Sequence, residues 1–132
     1  MTGEANLQLD GVAAHYVLFT GLFSDTRFAD PAHATIYFQP ERNTNARLVV
    51  MLDATRTGLQ MADGRSARVE WIADGGQVFP QKTSCVVQVT SPYSGTPQSV
   101  FSGEIANCVV YSAGNDHTLS SVRFSMTGAP KR

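Results

Sequence analysis

Cys85-Val86-Val87-Gln88-Val89-Thr90 places Cys85, Val87 and Val89 on one face of an extended segment. A second β-branched run, Cys108-Val109-Val110-Tyr111, begins 23 positions after Cys85. These segments hold the only cysteines in the chain. A lone pair lying in two strand-type runs reads as one disulfide, Cys85–Cys108, stapling neighbouring strands. Closing a loop of about 24 residues would contribute about 3.4 kcal/mol by the chain-entropy relation, less any strain. No CxxC or CxH spacing accompanies either residue, so a zinc site has no support in the pattern.

The two runs also make a geometric demand. Phe101, Gly103 and Ile105 share one parity, whereas Cys108 has the opposite one. Both sets point inward only if the strand changes phase near Ala106-Asn107. A β-bulge or strand break is therefore expected there, because one extra residue restores the inward direction.

Working outward, β-type runs recur and helical periodicity is nearly absent. Ala5, Leu7 and Leu9 alternate with polar neighbours, and Asp10-Gly11 turns the chain into Val12–Thr20, the best hairpin candidate. Gly21–Pro31 reads as an irregular loop. Thr35–Phe38 is a short strand, and Arg47–Leu52 is a buried one. Asp53–Gly58 could hold a single helical turn, with Asp53 as N-cap and Gly58 as stop. Ala67, Val69 and Trp71 share a face, Val78-Phe79-Pro80 is an edge fragment, and Gly114-Asn115-Asp116 turns into Leu119–Thr127. Val122, Phe124 and Met126 are the inward face of that last run.

Eight to ten short strands without βαβ alternation identify an all-β antiparallel fold. Loops of uneven length favour a β-sandwich, with a small β-barrel as the alternative. The 132 residues fit one domain spanning 1–132, with no internal repeat or linker. Charged residues make up 16%, against about 25% in typical globular chains. Ser, Thr, Asn, Gln and Gly must therefore carry the surface polarity, a composition common among small exported β domains.

A net charge of −1 with no basic stripe argues against a nucleic-acid partner. No stretch approaches the roughly 18 apolar residues of a transmembrane helix. The start, Met1–Asn6, lacks a charged region followed by an apolar one. An exported form would thus be a mature one, and a lipid-anchored parent is compatible with it.

Catalytic signatures are missing: there is no GxSxG elbow, no HExxH and no EF-hand loop. No catalytic, cofactor-binding or metal-ligating residue is assigned. His117 reads as a solvated loop residue, His15 and His33 as strand-face residues, and Glu70 and Glu104 as exposed strand charges. Among the aromatics, Trp71 belongs to a core face. Tyr93 is expected to be exposed in a candidate recognition loop with Ser94, Gly95 and Thr96.

The functional expectation is a non-enzymatic module, periplasmic, cell-surface or secreted, that binds a protein or a cell-envelope component. A carbohydrate-binding module is the alternative and requires coplanar exposed aromatics. A small hydrolase or an enzyme inhibitor comes third. Sheet edges with few lysines to guard them leave homodimerisation open.

Overall fold

In the computed structural model, the residues described are 2–23, 33–42, 44–64, 67–93 and 100–127. They form β1 (Thr2–Leu9), β2 (Val12–Phe23), β3 (His33–Pro40), β4 (Arg47–Asp53), β5 (Gly58–Ala62), β6 (Arg68–Ile72), β7 (Val78–Pro80), β8 (Cys85–Ser91), β9 (Val100–Ser112) and β10 (Asn115–Thr127). All ten lie in one antiparallel sheet of order β5-β8-β9-β10-β1-β2-β3-β4-β6-β7. The sheet is strongly curled into a half-barrel, so the all-β class holds and the barrel alternative describes its shape better than two facing sheets.

Local chemistry explains the strands. Asp10 (φ 52°) and Gly11 (φ 81°) turn β1 into β2, a left-handed pair whose twist matches the flanking strands. Ala113 (φ 51°) and Gly114 (φ 84°) do the same between β9 and β10, one residue earlier than the expected turn. Strand β2 continues through Gly21 to Phe23, where the sequence suggested a loop. Asp53–Gly58 holds no helical turn. Instead, the Thr55 N–H and hydroxyl both donate to the Asp53 carboxylate, an Asx-type turn that competes with helix.

The concave face carries the core. Trp71, Val69 and Ala67 are buried on it, as are Val122, Phe124 and Met126. Phe124 contacts Phe38 and Phe101 at ring-centroid distances of 6.0 and 5.9 Å. Gly103 is required where β8, β9 and β10 crowd together, since a Cβ there would stand 2.6 Å from the Phe124 ring. Strand β4 is buried on both faces from Leu48 to Asp53, as its continuous apolar run implied.

The phase change near Asn107 is present, but in a different form from the one expected. Phe101, Gly103 and Ile105 are buried, Ala106 and Asn107 are both exposed, and Cys108 and Val110 are buried again. Strand β9 is nevertheless unbroken, and its pairs with β10 keep register on both sides, Asn107↔Ser120 and Ile105↔Val122. The register shift falls instead between β1 and β10, opposite Leu7. Ser121, with φ 49°, is the residue in the left-handed conformation there. Both strands therefore invert together, and Cys108 comes inward with its Cα 5.3 Å from that of Cys85, within disulfide range.

Two glutamines draw the curled sheet together. Gln81 follows β7, where its N–H donates to Val69 O and it bridges to Val110 of β9. Gln60 of β5 is 3% exposed and directs its amide at the end of β4. Its Oε1 accepts from Asp53 N–H at 3.0 Å and its Nε2 donates to Asp53 O at 2.6 Å. One side-chain amide thus supplies the donor and acceptor that a neighbouring strand would provide.

Replacing Gln60 with alanine should leave both Asp53 backbone groups without partners. At about 1–3 kcal/mol for each buried unsatisfied group, Gln60→Ala should lose about 2–6 kcal/mol in urea unfolding. A loss under about 1 kcal/mol would mean that water replaces the amide without penalty.

Candidate functional site

Because β5 sends Gln60 and Ala62 inward, Leu59 and Met61 must point outward; they are 71% and 50% exposed. Their cross-strand neighbours on β8 are Gln88 and Val86, in the pairs Leu59↔Gln88 and Met61↔Val86. The row continues through Gln88↔Glu104 on β9 and Glu104↔Arg123 on β10. Four strands thus present a strip that passes from apolar to charged. Arg123 Nε lies 3.8 Å from Glu104 Oε1, a loose and solvent-exposed pair.

A depression of about 330 Å³ lies along this strip, lined by Leu59, Val86, Gln88, Glu104 and Arg123 among others. Its floor includes Ala106 and Ser121, the two small residues at the phase change. The inversion turns both outward at a point where neither fills the space above the sheet.

The ionisable groups with shifted proton affinity lie elsewhere. At the β1–β2 turn, the His117 ring donates from Nδ1 to Asp10 Oδ2 at 2.6 Å, and Thr118 N–H donates to Asp10 Oδ1 at 2.8 Å. The His117 bond first, then the Thr118 bond, holds the Asp10 carboxyl below its ordinary range. The other side of that imidazole packs edge-on against Trp71 and Phe79, each at 4.9 Å. His117 is therefore a half-buried clamp, not the solvated loop residue expected. Trp71 Nε1 donates to the Tyr16 hydroxyl at 3.2 Å, and burial pushes that phenol's pKa up.

His15 stands on the outer face of β2 between Glu4 and Glu41, at 3.0 and 2.6 Å from their carboxylates. The Glu4 hydrogen bond is the main cause of its raised pKa. Asp53 is lowered although burial opposes ionisation, because the Thr55 bonds and Arg56 outweigh it. Among the described residues, no three His, Cys, Asp or Glu side chains converge to hold a metal ion.

No family model matches the chain, and neither a curated protein nor a solved structure matches it.

The expected recognition loop is only partly in view. Tyr93 is half-buried, packs against the core, and its N–H donates to Ala54 O at 2.8 Å. It is not the exposed anchor expected. Ser94, Gly95 and Thr96 lie outside the described residues. The strip on β5, β8, β9 and β10 contains one residue the sequence had placed, the exposed strand charge Glu104. Leu59, Met61, Val86 and Arg123 were not singled out. Their signal was the alternation of Leu59-Gln60-Met61-Ala62 between Gly58 and Asp63-Gly64.

Raising the His15 pKa through Glu4 and Glu41 gives the chain a defined pH response. The pairing contributes fully below the unfolded value near 6.5 and is lost as pH rises through the higher folded value. NMR titration of the His15 ring should give a midpoint above 6.5, and Glu4→Gln should bring it down. An unchanged midpoint in that variant would remove Glu4 as the cause.

Proposed function

We propose that this chain is a non-enzymatic binding module of an oxidising, extracytoplasmic setting, periplasmic, cell-surface or secreted. In this reading it recognises an extended segment of a protein partner on the outer face of β5, β8, β9 and β10. The observation that carries it is the strip itself. Leu59, Met61 and Val86 are exposed without a charge among them, beside a depression whose far wall is the Glu104–Arg123 pair. Apolar side chains grouped on an otherwise polar surface mark interaction sites. A neighbouring arginine adds a planar donor set suited to backbone carbonyls or carboxylates.

The compartment rests on Cys85 and Cys108, whose approach fits an oxidising environment. No helix among the described residues is long and apolar enough to cross a membrane. The depression gives little support to acid–base chemistry, because Asp10, His15, Tyr16 and Asp53 do not line it.

Carbohydrate binding is the weaker alternative. It needs coplanar exposed rings, yet Trp71 and Tyr16 are buried, and Tyr37 and Tyr93 are half-buried. Tyr111 is exposed, but Lys82 lies 5.2 Å from its ring centroid.

Selection of displayed linear peptides against the intact protein tests this reading. Selected peptides should lose about tenfold or more in affinity for Val86→Lys and for Arg123→Glu, the loss typical of an interfacial anchor. Binders indifferent to both variants, or binding confined to a glycan array, would overturn it.

A further inference from the structure

The sheet has two ends, and they are treated differently. Strand β7 is three residues long, finishes in Pro80, and continues into Gln81, which bridges to β9. Proline and a covering connection are established ways to blunt an edge. Strand β5 is the other terminus of the strand order, and among the described residues β8 is the one strand it pairs with. Its sequence, Gly58-Leu59-Gln60-Met61-Ala62, contains no charge and no proline. Its pairing with β8 shows no register shift. Among the described residues, none of the usual guards is present on it.

The same five residues are self-complementary. In an antiparallel arrangement centred on Gln60, Leu59 lies opposite the partner's Met61, and Met61 opposite the partner's Leu59. Gly58 lies opposite the partner's Ala62. Arg56 precedes the strand, with its side chain 63% exposed, and the exposed Asp63 follows it. Arg56 is held at 3.1 Å by Asp53 of its own chain, so the apolar pairs rather than these charges carry the contact. The inward Gln60 amide is already engaged by Asp53, so it does not compete for the partner.

We propose that two copies of this chain associate by antiparallel pairing of their β5 strands about a twofold axis, extending the sheet across the interface. The contact is isologous, which closes the assembly at two and leaves no free edge of this type. Paired apolar side chains at positions 59 and 61 would supply the cross-strand contacts, and backbone hydrogen bonds the rest. A five-residue strand makes a small interface, so the association should be reversible and concentration-dependent. This inference shares Leu59 and Met61 with the proposed peptide strip but rests on the β5 edge, and it holds whether or not the strip takes a peptide.

Sedimentation of the intact protein over a range of concentrations tests it. The wild type should shift from monomer to dimer, and Leu59→Lys and Met61→Lys should each weaken the dimer by about tenfold or more, since each puts two charges against an apolar partner. Unchanged thermal unfolding of the isolated monomers would confirm that both variants fold. The double variant L59E/M61K should recover dimerisation, because an acid at position 59 then faces a base at position 61 of the partner. Arg123→Glu, which tests the peptide strip, should leave the dimer intact. A wild type that stays monomeric at every concentration overturns the proposal. So does a dimer indifferent to both lysine variants, or one that the double variant does not recover.

Discussion

A single side-chain amide sets the character of one end of this molecule. Gln60 offers its carbonyl to the Asp53 N–H and its amino group to the Asp53 carbonyl. Asp53 ends β4 in a buried position, where an unpaired backbone group would be costly. With Gln60 committed inward, the two-residue period of a strand leaves Leu59 and Met61 no side but the outer one. The apolar surface is therefore not a lapse in packing. It is the geometric counterpart of the polar contact that ties β5 to β4.

The other device is the shared inversion of β9 and β10. A curled sheet needs its long strands to bend, and both run to 13 residues. Inverting the inward parity at Ala106-Asn107 lets Ile105 and Cys108 both reach the core. The partner strand must invert as well, and Ser121 does so by adopting a left-handed φ of 49°. Small residues suit that place, since a β-branched side chain would resist the conformation. The depression on the outer face is the space this arrangement leaves.

Much of the architecture was legible because its signals are local. The alternation in Cys85–Thr90 became a buried–exposed pattern without exception, and Asp10-Gly11 can hardly do anything but turn. The parity conflict between Ile105 and Cys108 predicted an inversion, since it follows from counting alone. What counting could not show is which ladder would absorb the shift. That depends on β1, about 100 residues away in sequence, opposing β10 at Leu7. Strand β5 was missed for a related reason. Its pattern reads apolar-in and polar-out, and only the Asp53 backbone at the end of β4, a different strand although 7 positions away, reverses it. Tyr93 and His117 likewise looked exposed because their neighbours are polar, while their packing partners come from elsewhere in the chain.

The distribution of polar contacts separates structural groups from those free to meet a partner. Asp10 with His117 at 2.6 Å, and His15 with Glu4 and Glu41 at 3.0 and 2.6 Å, are closely paired, so their charges are spent within the chain. Glu104 and Arg123 face each other on adjacent strands at 3.8 Å, in solvent, where such a pair contributes little to stability. Little is lost when a ligand separates them. A surface whose apolar residues are fixed outward by Gln60, and whose charges are weakly held, can be desolvated at small cost to the fold. That asymmetry, rather than the size of the depression, makes the β5–β10 face the place to look for a partner.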